Sequence, residues 1–134
     1  MGASVGAALA ARERGRIVID IQNDGDLNYS PGALWTAAHH KLPMLIVMHK
    51  NRAWHQETMF VEYVCGVRGR SGRGHNGTTL RDPFIDYAKM AEGYGMASEG
   101  PISDPTKLAA AFKRGVESVK MGEPYLIDVL TQSR

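Results

Sequence analysis

The chain has 134 residues, 43% of them hydrophobic and 22% charged, with a formal net charge of +2. That length bounds it to one domain with a real core and leaves no room for a second fold. A balance this close to neutral, with no clustered basic face, argues against nucleic acid or a membrane surface as partners.

Gly2 to Arg14 is rich in alanine, with Leu9 and small residues on most faces, and Gly15 follows as a C-terminal cap. A close-packing helix is predicted there. The start lacks the long apolar core and cleavage pattern of a signal peptide, and no later apolar run reaches a bilayer span. Gly2-Ala3-Ser4-Val5-Gly6 matches G-x-S-x-G, but a nucleophile elbow needs a strand entering the turn and none is predicted ahead of it. A glycine-rich helix start is the simpler reading. Arg16 to Gln22 is β-branched and nearly continuous in apolar character, as expected of a central parallel strand covered on both faces. Asn23-Asp24-Gly25-Asp26 then turns the chain. Ser30 offers an N-cap and Pro31 a first helical position for a second helix, which His39 and His40 close where the helix dipole favours cations. Pro43 to His49 is a second buried strand, and Lys50-Asn51-Arg52-Ala53 follows.

WHQETMFVEYVCG, from Trp54, is read as a helix with Phe60, Val61, Val64 and Cys65 on an apolar side and Gly66 as its stop. Cys65 is then a core residue, and a lone cysteine suits a reducing cytoplasm. Residues 67–81, dense in glycine and arginine and without periodicity, read as a mobile solvated loop. Asp82 and Pro83 open a helix that Gly93 stops, and Gly95 to Glu99 is a candidate strand. Asp104 and Pro105 open the last helix, in which Leu108, Ala111, Phe112, Val116 and Val119 recur at helical spacing before Gly122. Tyr125 to Leu130 is the final strand. Alternation of this kind predicts an α/β fold, a three-layer α/β/α arrangement around a mostly parallel sheet.

Ligands of such sheets sit beyond the carboxyl ends of the strands, where Asp24 and Asn51 both emerge. Magnesium takes near-octahedral oxygen ligands and keeps several positions for water or phosphate. Asp24, the amide oxygen of Asn51 and a carbonyl near Ala53 would supply half of such a shell. The backbone N–H groups of the Gly25 turn and the positive end of the following helix suit a diphosphate.

This arrangement resembles the thiamine diphosphate enzymes, which carry Gly-Asp-Gly and then, at a set spacing, Asn-Asn. Here Asn23-Asp24-Gly25 is followed at that spacing by Lys50-Asn51. DLNYSPGALWTAAHHKLP, GYGMASEG and GEPYLIDVL are similar to the C-terminal, diphosphate-binding domain of the benzoylformate decarboxylase and acetolactate synthase branch. The resemblance covers nearly the whole chain and implies a single thiamine diphosphate-binding domain, 1–134, lacking the segment that normally precedes its first helix. It implies Asp24, Asn51 and the Ala53 carbonyl as magnesium ligands, and Gly25, Asp26, Leu27 and Asn28 along the diphosphate of the cofactor. Glu57 would lie near the thiazolium and a small-molecule substrate. Asn23 stands where the family has glycine; asparagine tolerates left-handed backbone angles, but its amide could crowd the phosphate. Lys50 stands where the family has asparagine, and its ammonium would either repel magnesium or neutralise part of the diphosphate itself.

The implied activity is that of a 2-oxo acid decarboxylase or carboligase, a lyase or transferase. It requires a pyrimidine-binding domain, supplied by a separate chain or within a homo-oligomer. Two other classes stay open. One is a small esterase-like hydrolase using Ser4 or Cys65 with His49 or His55. The other is a non-catalytic domain that self-associates through the face its partner would cover.

Overall fold

In the computed structural model, which describes residues 1–132, the first half of the chain forms α1 (Gly2–Arg12), β1 (Val18–Asn23), α2 (Asp24–Leu27), α3 (Gly32–His39) and β2 (Met44–Lys50). The second half forms α4 (His55–Val67), α5 (Tyr87–Gly93), β3 (Ala97–Ile102), a 3-10 turn (Pro105–Lys107), α6 (Leu108–Lys120) and β4 (Tyr125–Leu130). The strands make one parallel sheet in the order β1-β2-β4-β3. Alternation along β2 divides the core in two. Met44, Ile46 and Met48 pack with Ala8, Leu34, Ala37, Tyr87 and Ala91 of α1, α3 and α5. Leu45 and Val47 pack with Ala111 and Val119 of α6 on the other face. The three-layer α/β/α arrangement follows from that split. Gly115 lets α6 approach closely, because a Cβ there would lie 2.7 Å from Leu45 Cδ1.

Several expectations need correction. β1 is an edge strand rather than a central one, and its Ile19 and Ile21 are 56% and 74% exposed. Continuous apolar character cannot distinguish a strand covered on both faces from one left open on a face. Pro31, not Ser30, sits at the N-cap of α3, and no side chain caps it. The helix expected from Asp82 begins only at Tyr87, because the Asp86 side chain accepts the Lys89 N–H at 3.0 Å and sets the boundary. In the final helical stretch Asp104 caps the 3-10 turn, and α6 proper starts at Leu108. α4 runs through Gly66 to Val67, and none of its residues is buried. Cys65 is half-buried on that helix, outside both core clusters. Helical periodicity was legible there, but its apolar side faces away from the sheet.

Residues 67–81 fold back on α4. Gly74 N–H donates to Glu62 Oε1 at 2.7 Å, the hydroxyls of Thr58 and Thr78 lie 2.7 Å apart, and Thr79 bridges Ala53.

Candidate functional site

β1 and β2 are neighbours in parallel register, with Asn23 opposite His49, so Asp24 and Asn51 leave the sheet side by side at its carboxyl edge. Asp24 is 1% exposed. Its carboxylate accepts the Gly25 N–H at 2.9 Å and the Arg52 N–H at 2.5 Å, one on each oxygen. A carboxylate has about four lone-pair positions, so each oxygen keeps acceptor capacity. Burial pushes the Asp24 carboxyl above the usual carboxylate range, and the two N–H groups, Arg52 first, pull it back. The Asn51 amide oxygen accepts the Ala53 N–H at 3.0 Å, which holds the turn closed. Arg52 takes φ +66°, a left-handed angle uncommon for a side chain of its size, and this turns its N–H onto Asp24. One carboxylate, one amide oxygen and nearby carbonyls are the oxygen donors a hard divalent cation selects. Among the described residues no group of three or more His, Cys, Asp or Glu converges on a metal position, here or elsewhere.

Beside this pair lies a polar cleft of about 100 Å³ lined by Asn23, Gly25, Asp26, Asn51, Ala53, Trp54, His55, Gln56 and Glu57. Trp54 packs so close to Gly25 that a Cβ there would sit 2.4 Å from the indole nitrogen. The same Nε1–H is buried without a partner, and α4 starts at this cleft with no side-chain cap. Unpaired N–H donors at a helix start suit an anion. Asn23 has φ −73° in extended backbone, so its position does not need the freedom of glycine. Its amide reaches toward Asp26 Oδ2 at 3.5 Å.

The other candidates are distributed as follows. Leu27 is fully buried in the core, leaving only its backbone for a ligand, and Asn28 donates to the Tyr87 hydroxyl at 3.2 Å. Lys50 points inward, with Nζ 3.2 Å from Asp128 Oδ2. Glu57 is exposed at the rim of the cleft. His49 and His55 share a second depression with Asn51, Thr131 and Gln132. Ser4 lies in α1 and Cys65 in α4, and neither lines that depression. No nucleophile–base pair forms from them.

Residues 1–129 match the family described as thiamine pyrophosphate enzyme, C-terminal TPP binding domain. The chain belongs to this family. Over 131 residues it is 32% identical to benzoylformate decarboxylase of Pseudomonas aeruginosa, a match spanning 98% of this chain and 22% of that protein. A solved thiamine diphosphate-dependent 4-hydroxybenzoylformate decarboxylase from Rhodococcus jostii RHA1 aligns with a TM-score of 0.74 at 31% identity, over 98% of this chain and 22% of that one. Benzoylformate decarboxylase from Polynucleobacter necessarius aligns at 0.72 and 20% identity, over 98% and 23%, a likeness of fold. The chain therefore spans about a fifth of the length of these relatives.

Sequence reasoning missed four residues of this TPP-binding domain's edge: Arg52, Trp54, Tyr87 and Asp128. Arg52 and Trp54 flank the named Ala53, so adjacency was a usable signal. Tyr87 and Asp128 lie 63 and 104 positions beyond Asp24 in the chain, and only sheet order brings them near.

Proposed function

We propose that this TPP-binding domain anchors thiamine diphosphate through Mg²⁺ at Asp24, Asn51 and the Ala53 carbonyl. It would serve a 2-oxo acid decarboxylase or carboligase completed by a pyrimidine-binding domain. The observation that carries the reading is the buried Asp24 carboxylate, fixed by two N–H groups beside Asn51 at the carboxyl edge of the sheet. The residues fit the group. The donor set is oxygen-only and leaves positions for phosphate, as Mg²⁺ requires. The orphaned Trp54 Nε1–H and the uncapped start of α4 offer the diphosphate the donors it would need.

When bound, thiamine diphosphate supplies an electron sink for breaking the bond beside a 2-oxo acid's carbonyl. The chain's own residues bind and orient. Asp24 and Asn51 set the cation, Asn23, Gly25, Asp26 and the Leu27–Asn28 backbone border the phosphates, and Glu57 faces the substrate from the rim. The open apolar side of α4, with Met59, Phe60, Tyr63 and Val67 more than half exposed, supports a role as the surface on which the completing domain or a second copy docks. No helix among the described residues is long and apolar enough to cross a membrane. The lone Cys65 supports a reducing, cytoplasmic setting.

Titration calorimetry with thiamine diphosphate and Mg²⁺ is the test. Saturable heat and a raised Tm are expected, both lost in Asp24→Ala. Absence of heat and of thermal protection at millimolar cofactor would sink the reading.

A further inference from the structure

Beneath the ligand edge, Lys50, Asp128, Tyr87 and Asp24 form one connected set. Lys50 ends β2 and, by strand alternation with Met44, Ile46 and Met48, points into the face that α5 covers. Its Nζ lies 3.2 Å from Asp128 Oδ2 and 5.5 Å from the centroid of the Tyr87 ring, within reach of a cation–π contact. The same Asp128 oxygen accepts the Tyr87 backbone N–H at 3.3 Å. At the far end of Tyr87 the hydroxyl donates to the Asp24 carbonyl at 3.1 Å and accepts from Asn28 Nδ2 at 3.2 Å. Lys50, Asp128 and Tyr87 are 5%, 0% and 1% exposed.

We propose that Lys50, Asp128 and Tyr87 are positioning residues: a buried support that holds the Asp24 carbonyl from below and so fixes the carboxylate presented at the ligand edge. The inference rests on reading Asp24 as a ligand. A phenylalanine would fill the space of Tyr87 without needing a partner for a buried hydroxyl, so the hydroxyl's consequence is its hold on Asp24. A buried ion pair adds little net stability over packed apolar side chains, so the consequence of Lys50–Asp128 is the fixed place of Tyr87. Engaged in this way, the Lys50 ammonium serves Asp128 and does not neutralise an anion at the edge. The charge on a bound diphosphate is then met by the metal.

Two readouts on the full chain test this. The first needs no ligand: amide hydrogen exchange at Gly25 and Arg52, whose N–H groups hold the Asp24 carboxylate, measured against Val47 and Ile127 in the central strands. Tyr87→Phe is expected to speed Gly25 and Arg52 about tenfold relative to those references. Lys50→Met combined with Asp128→Leu, which avoids stranding either charge, is expected to move them the same way. Val119→Ala, a destabilising change on the face where Val47 and Ile127 pack, should not speed Gly25 and Arg52 relative to those references. An unchanged ratio in Tyr87→Phe, or an equal shift in Val119→Ala, overturns the proposal.

The second readout is Mg²⁺ affinity at saturating thiamine diphosphate. It is expected to weaken about 10–100-fold in Tyr87→Phe and to hold in Val119→Ala. Cofactor binding that persists in EDTA and is lost in the Lys50–Asp128 double variant would show Lys50 serving the ligand, and also overturns the proposal. A wild-type chain that binds no cofactor refutes the function proposed above, while hydrogen exchange still decides the positioning role.

Discussion

Burial pushes the Tyr87 hydroxyl from 10.0 up to about 12, with the Asn28 hydrogen bond opposing and the negative charges of Asp24 and Asp128 adding to the rise. The native state therefore holds this proton more tightly than the unfolded chain. Its contribution to stability is complete below pH 10 and is lost as pH rises through about 12. In the metal-free chain, burial also raises Tyr125, and ultraviolet titration of the five tyrosines should contain a step near pH 12 that Tyr87→Phe removes. Urea unfolding of wild type should lose about 2 kcal/mol more than that variant across the same window. Lys50 makes a second prediction at this scale. Lys50→Met alone strands the buried Asp128 carboxylate and should cost about 3–5 kcal/mol at neutral pH, whereas Lys50→Met with Asp128→Leu should fall near wild type. Chemical denaturation of the two variants checks the contrast. Asp24 and Asn51 were legible as a pair because each follows an apolar run that reads as a strand. The direction of Lys50 was not, because a residue at a strand end can face either the ligand edge or the layer beneath it.

At the scale of elements, close approach decides two sites. α6 lies on β2 through Gly115, so Gly115→Ala forces a methyl against Leu45 Cδ1 and should destabilise the fold by about 1–3 kcal/mol, read as a lower Tm. Gly25→Ala brings its methyl against the Trp54 indole and should displace that ring from the cleft. The expected result is weaker thiamine diphosphate binding and a changed Trp54 fluorescence environment with the fold intact. Unaltered binding would mean that the Gly25–Trp54 contact does not shape the cleft. The helix expected from Asp82 begins later because Asp86 accepts the Lys89 N–H and is followed directly by the buried Tyr87, Ala88 and Ala91 that anchor a helix on the sheet.

Among the described residues, neighbouring apolar side chains are left open on the outer side of α4 and on the Ile19–Ile21 side of β1. Large exposed apolar patches mark surfaces that a partner covers. Concentration-dependent association is expected in static light scattering, and Phe60→Asp with Tyr63→Asp should reduce it without lowering Tm, since neither residue is buried in the fold. A monomer at every practical concentration in wild type would remove α4 as a docking surface between copies.

The sequence by itself determined the alternation of strands and helices, the parallel three-layer class and the pairing of Asp24 with Asn51, because strand character, capping and turn chemistry are local and their alternation along the chain sets the fold class. Tertiary structure alone decided that β1 is an edge, that α4 turns its apolar side outward, and that Lys50 is held by Asp128 under Tyr87. Each of those depends on what lies on the far side of a side chain. That neighbour is supplied by the order β1-β2-β4-β3, which brings residues distant in the chain to within hydrogen-bonding distance.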